Sequence, residues 1–373
     1  MTSQPKPDAA PGSVKRPVYA TLGRRVVVAI ALTILLVIPT MVMYAISRES
    51  AATWAAGAGI AGAAAVVAGG VEVGILTSLV LGLLTPISIV AGGTPVTGAA
   101  IMALMCLMVG RLSRFGLNRA TLLVPIFMAW MIIDPPTWGP QHTVDRSDGS
   151  YLAWMGVIFF VGSIFAVFAF SFFLRKVKLP APKPHSRRES VPYTATITVL
   201  ATVATFIVLH DPAKHYAGAW LIATILVLSQ VGDVGTVRRT VGRVLGTLVG
   251  SLLVIVIVVQ VHSLAVIYGI GLLFAIAAIT AKFSPHYWIY MALITPTVVC
   301  MNASSSSQVA NLGERRAADT LIGAALVLLA AALTVGYSRW QQHRGANQGE
   351  DEPVVLGQPL ASSANSSSAP RRA

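Results

Sequence analysis

The chain has 373 residues, 55% of them hydrophobic and 11% charged. Soluble domains carry roughly 25% charged and 45–50% apolar residues, so an ordinary cytosolic domain is excluded and most of the sequence reads as apolar runs near the length of a membrane span. The net charge of +13 is expected to report membrane orientation rather than nucleic acid binding. Two cysteines, Cys106 and Cys300, both in apolar surroundings, supply neither a disulfide framework nor a Cys-rich metal site.

The N-terminal tail, MTSQPKPDAAPGSVKRP, is polar, and the apolar run behind Arg24-Arg25 is followed by no small-x-small cleavage site. This pattern predicts an uncleaved first span rather than a signal peptide. Apolar segments then recur at 26–47, 51–69, 73–92, 95–111, 118–134, 151–174, 193–209, 215–232, 241–260, 263–281, 286–302 and 317–337. The expected fold is therefore an all-α polytopic membrane protein of about twelve transmembrane helices in two six-helix halves. With an N-terminus in the cytoplasm, twelve spans put all but Arg48, Arg146, Lys214, Arg315 and Arg316 of the 27 Lys and Arg on the cytoplasmic side, as the positive-inside bias requires.

Five regions follow: a cytoplasmic tail over 1–24, a first membrane half over 25–175, a basic linker over 176–192, a second membrane half over 193–338 and a polar tail over 339–373. The linker, RKVKLPAPKPHSRRESVP from its first basic pair, mixes prolines with bases and cannot continue a helix. The tail ends ASSANSSSAPRRA, a composition that predicts disorder.

The second half contains an internal repeat. Arg243-Val-Leu-Gly-Thr-Leu-Val-Gly250 opens the ninth span and Arg316-Ala-Ala-Asp-Thr-Leu-Ile-Gly323 the twelfth, sharing R-x-x-[GD]-T-L-[VI]-G. Three spans separate the copies, so the topology gives them opposite orientations, a three-helix inverted repeat of the kind that places substrates in transporters. The first half reads as a degenerate version: Trp54 matches Trp220 in register and Pro125 corresponds to Pro296, but the arginine motif is missing and Glu72 stands where the ninth span has bases.

Arg243 and Arg316 admit two readings, an anchor that snorkels to the headgroups or, with the positive end of each helix, a site for a carboxylate. Thr247 and Thr320 accompany them at fixed spacing. Gly242, Gly246 and Gly250 recur every fourth residue and, with Gly323, predict close helix packing. Asp319 is either the i, i+3 ion-pair partner of Arg316 or a carboxylate able to exchange a proton as a coupling group. Glu72 and Asp233 are weaker candidates for that role. Trp220, Trp288, Tyr287 and Tyr290 are either interfacial belt residues or an aromatic lining for a flat substrate, and Pro86, Pro125 and Pro296 mark kinks or unwound segments. No G-x-x-x-x-G-K-[ST], H-E-x-x-H or G-x-S-x-G motif occurs, so ATP hydrolysis, catalysis, a metal and a cofactor are not expected.

RRTVGRVLGTLVGSLL at 238–253 and ERRAADTLIGAALVLL at 314–329 resemble the two arginine-bearing signatures of the fusaric acid resistance, or aromatic acid exporter, superfamily. The resemblance covers about 195–338; the first half is similar only in helix pattern. Where larger members carry a substantial cytosolic domain, this sequence has a basic linker and a short tail. The resemblance implies export of small, mostly aromatic, carboxylic acids across a bacterial inner membrane; the distribution of Lys and Arg over twelve spans puts both termini in the cytoplasm. Arg243, Thr247, Arg316, Asp319 and Thr320 are the positions that match its motif, and Trp220 and Trp288 join them as candidate substrate contacts. Partners would be the organic anion, the lipid bilayer, a periplasmic membrane-fusion adaptor and a second copy of the chain. A passive anion channel and a non-transporting scaffold for an adaptor complex are the competing readings.

Overall fold

The computed structural model describes residues 22–138, 144–175, 181–211, 215–229, 236–259, 261, 263–282, 286–302 and 306–348. They form α1 (Leu22–Ser47), α2 (Trp54–Gly69), α3 (Val71–Ala91), α4 (Pro95–Leu112), α5 (Asn118–Ile133), α6 (Gly149–Leu174), α7 (Arg187–His210), α8 (His215–Leu228), α9 (Thr236–Val259), α10 (Leu264–Ala281), α11 (Tyr287–Asn302) and α12 (Ser306–Gln348). Among the described residues, eight helices are long and apolar enough to cross a membrane, while Asn118–Ile133, Gly218–Leu228, Ala265–Ala281 and Tyr287–Met301 are shorter apolar helices. The chain is thus a multi-pass, all-helical membrane protein. The expected twelve crossings depend on four helices whose length alone does not span the hydrocarbon layer.

Local chemistry sets the helix ends. Gly70, with φ of 88°, turns α2 into α3, a conformation that residues with a Cβ avoid. Thr94 caps α4 by accepting from the Thr97 N–H at 3.2 Å, and Pro95 follows at the first helical position, where its missing N–H costs nothing. Asp148 accepts from the Ser150 N–H at 2.8 Å to start α6, and Ser186 with Glu189 forms a capping box that starts α7. Helix α5 is broken at Leu122, so Pro125 falls in the first turn of a new helical piece, where N–H groups have no helical acceptor in any case. Helices α3 and α11 run through Pro86 and Pro296.

Between membrane helices close packing, rather than exclusion of water, holds the fold together. Small residues supply it. A Cβ on Gly62 of α2 would lie 2.5 Å from the Ser163 carbonyl oxygen of α6, and Ser163 and Ser78 of α3 share a buried hydroxyl hydrogen bond of 2.8 Å, so three helices lock at one level. Helix α4 packs along α7, and α11 takes both α9 and α10. The larger apolar cluster runs through the first half and includes Ile222 and Ile225 of α8; a smaller one joins Val254 of α9, Ile267 of α10 and Val299 of α11.

These helices, with α12 as far as Leu329, belong to one compact unit; a second unit begins at Ala330 and contains the rest of α12. The helix continues to Gln348, beyond the end expected near 337, since Tyr337-Ser-Arg-Trp-Gln-Gln-His-Arg344 holds no residue that breaks a helix. Residues 1–21 and 349–373, the linker segment 176–180 and Asp233 lie outside the described residues.

Candidate anion site

Helix α8 supplies one wall. Trp220 and Thr224 are four residues apart and share a helical face, and each meets one arginine. The guanidinium carbon of Arg316 lies 3.8 Å from the centre of the Trp220 ring. Arg243 points its Nη2 at the Thr224 hydroxyl oxygen at 3.5 Å and its Nη1 at Met291 Sδ of α11 at 4.0 Å, both long contacts that weakly satisfy a charged donor. Gly323 lets α12 close on this wall, since a Cβ there would lie 2.9 Å from Thr224 Cγ2.

Both arginines are buried, with 7% of Arg243 and 5% of Arg316 exposed. They lie within electrostatic reach of each other and of Tyr290. Asp319, 6% exposed, is within reach of Arg315 and Arg316. The nearby carboxylate does not complete the site: Arg243 Nε, Arg316 Nη1 and Asp319 Oδ2 make no hydrogen bond, nor do the hydroxyls of Thr240 and Ser251 on α9 and Ser229 after α8. Burying one charge costs several kcal/mol unless partners complete it, and two like charges repel in addition. Buried planar guanidinium forks with free donors are groups that can receive an anion.

The sequence placed the arginines at helix starts, but α9 begins at Thr236 and α12 at Ser306, so Arg243 stands about two turns and Arg316 about three turns inside. Helix-end charge fades within the first turn. The positive potential therefore comes from the guanidinium groups themselves. Thr247 and Thr320 are buried one turn beyond each arginine. Gly246 and Gly250 face α11: a Cβ on Gly246 would meet the Trp288 carbonyl oxygen and lie 2.6 Å from Met291 Cβ, and one on Gly250 would lie 2.6 Å from the Ala292 carbonyl oxygen. Gly242 sits 3.3 Å from the Tyr287 ring by the same measure. Trp288 is 39% exposed on α11, and Glu72 is exposed in the first turn of α3.

Trp220 also lines a cleft of about 220 Å³, together with Trp54, Trp130, Leu312, Asp134 and the turn Pro135–Thr137; neither arginine is part of its lining. Trp130 meets Trp220 edge to face with ring centres 4.5 Å apart, and Trp54 lies 6.0 Å from Trp130. Behind the cleft, Arg146 donates to the carbonyl oxygens of Ile89 and Ile132, the last turns of α3 and α5. Burial pulls the Arg146 guanidinium below its ordinary range, while Tyr151 and Asp134 oppose that shift. Trp54, Trp130, Thr224 and Met291 carried no site signal in the sequence. The available hints were that Trp130 lies about one turn before the helix-ending run Asp134-Pro135-Pro136, and so near the end of a span, and that Trp54 matches Trp220 in register.

No curated protein and no solved structure matches the chain. Residues 192–330 match the model of a family described as fusaric acid resistance protein-like. That stretch holds the arginine pair, Trp220, Thr224 and Asp319, and it is over these residues that the chain is similar to the fusaric acid resistance protein-like family.

Proposed function

We propose that the protein is a secondary transporter that exports small organic anions, aromatic carboxylic acids above all, across a bacterial inner membrane. The observation that carries this reading is the buried pair Arg243 and Arg316 with unused N–H donors on both side chains. A carboxylate offers the two oxygens that those donors lack, and it cancels the repulsion between the two cations. The family match over 192–330 and the multi-pass helical fold support transport rather than catalysis.

With twelve spans and both termini in the cytoplasm, the arginine-bearing helices run in opposite directions, as an inverted repeat would, and each carries its cation toward α8. Export of an anion follows the field of an inside-negative membrane, about 2.3 kcal/mol per charge at 100 mV. Proton coupling then adds to a gradient that already favours exit. Asp319 is the coupling group in this reading, with Thr247 and Thr320 as hydroxyl contacts to the bound anion.

Export of a panel of radiolabelled aromatic acids from cells, at matched membrane levels of wild type, Arg243→Ala and Arg316→Ala, tests the proposal. Loss of export by at least about tenfold in both variants is expected. Unchanged export would reduce the arginines to structural residues, and a non-saturating current in place of exchange would make the protein a channel.

A further inference from the structure

Helices α4 and α7 run side by side and bring two basic segments together. A Cβ on Gly110 of α4 would strike the Thr194 side chain of α7, which stands about two turns past Arg187, the first residue of that helix. The turn from α4 to α5 therefore lies next to the end of the basic linker, and two contacts pin them. A Cβ on Gly116, whose φ is 74°, would lie 2.6 Å from the Lys183 carbonyl carbon, and the His185 N–H donates to the Ser113 carbonyl oxygen at 3.4 Å. Arg111, Arg114 and Arg119 around the turn thus share one end of the bundle with Lys183, Arg187 and Arg188, and all six are exposed. The two segments hold a single carboxylate, Glu189, which is engaged in the capping box with Ser186. Among the described residues, none of the six bases forms a salt bridge.

We infer that this patch docks the phosphodiester headgroup of an anionic phospholipid, and that the lipid joins the first membrane half to the second at one leaflet. The inference is independent of what the protein transports. Membrane orientation needs bases only as a bias in number; it does not need a linker strapped to a turn by a left-handed glycine. Position identifies the occupant, because the apolar stretches Pro95–Phe115 and Arg187–His210 both end at the patch and so set its bases at headgroup level. Phe115, 63% exposed, stands directly beside Arg114 and offers an aromatic ring at the depth where such rings meet lipid, a feature without use to a polyanion arriving from water. With the N-terminus in the cytoplasm the patch faces the cytoplasmic leaflet, where each base near an anionic surface raises association about fivefold.

Titration of phosphatidylglycerol and of phosphatidylcholine into the detergent-solubilised full-length protein, with bound lipid counted by native mass spectrometry, tests the inference. Wild type is expected to prefer phosphatidylglycerol by about tenfold or more. Arg114→Gln/Arg119→Gln/Lys183→Gln should bring the ratio to about threefold or less. Arg24→Gln/Arg25→Gln/Lys282→Gln removes as many bases from the ends of α1 and α10 and should keep the wild-type ratio. Gly116→Ala retains every charge while forcing the turn off the linker, and should lower the preference too. A ratio unchanged in the first variant overturns the proposal, as does an equal fall in the second, and an unchanged ratio in Gly116→Ala would leave bulk charge rather than a docked lipid. Glycerol 3-phosphate is the soluble probe: displacement of phosphatidylglycerol by it at equal concentration would make the patch a free-phosphate site and overturn the assignment to lipid.

Discussion

Arg316 lays its guanidinium 3.8 Å above the Trp220 ring, with that cation buried and one of its nitrogens, Nη1, unused. The indole face stabilises the cation electrostatically without consuming an N–H donor, so the donors stay free for a ligand. Such contacts contribute about 0.5–2 kcal/mol. Trp220→Ala should weaken the apparent affinity for an aromatic acid by roughly two- to thirtyfold, and Trp220→Phe should recover most of the loss. Concentration dependence of export in the two variants checks this, and equal affinities in Phe and Ala variants would show that the ring face plays no part.

The arginine pair sets binding against stability. Two buried cations with unsatisfied donors burden the empty protein, and apolar residues of similar volume in place of buried charges are often neutral or stabilising by about 1–4 kcal/mol. Arg243→Leu is therefore expected to melt at the same temperature as wild type or a few degrees above it, while benzoate no longer stabilises it. Wild type at a ligand concentration 100 times Kd gains about 2.7 kcal/mol. Thermal unfolding in detergent with and without benzoate separates the two effects. A marked fall in melting temperature for Arg243→Leu would assign the arginines to the structure instead of the ligand.

Helix order, approximate boundaries and the arginine motif were legible in the sequence because each is local: hydropathy reports burial in lipid, and the pattern shared by Arg243 and Arg316 repeats within one strand of text. The convergence of those arginines on Trp220 and Thr224 was not legible, since nothing along the chain says which face of α8 meets α9 and α12. Trp54 and Trp130 were invisible for the same reason. An aromatic near a span end reads equally as an interfacial belt residue, and only the packing of α2 and α5 beside α8 makes the two a wall. The depth of the arginines was misjudged because α9 and α12 begin with polar turns, Thr236 and Ser306, which hydropathy assigns to loops.

Glycines in the fold differ sharply in what surrounds them. A Cβ at Gly246 or Gly250 meets the α11 backbone, whereas one at Gly269 of α10 meets nothing within 4 Å. Gly246→Ala and Gly250→Ala should each destabilise by about 1–3 kcal/mol through overpacking, lowering membrane levels and shifting Arg243 against Met291. Gly269→Ala should be neutral or stabilising by up to about 1 kcal/mol, the difference in helix propensity. Melting temperatures of the three variants decide the matter, and equal behaviour of Gly246→Ala and Gly269→Ala would mean that the α9–α11 contact has room for a methyl group.

Arg146 ties the ends of two helices to the cleft. Its guanidinium donates to the carbonyl oxygens of Ile89 and Ile132, groups that would otherwise be left without partners at the C-terminal ends of α3 and α5, where a cation is also favoured by the helix dipole. Gly92 makes room for it, since a Cβ there would strike both the Ile132 carbonyl and Arg146 Nη1. Ile132 lies two residues before Asp134, which lines the cleft, so the clamp fixes the position of the cleft wall. Arg146→Ala should cost about 1–3 kcal/mol, the penalty for leaving acceptors unmade. Arg146→Lys restores the charge but not the two-pronged geometry and should rescue only part of the stability. Melting temperatures of the two variants test the clamp; full rescue by lysine would leave charge alone as its basis.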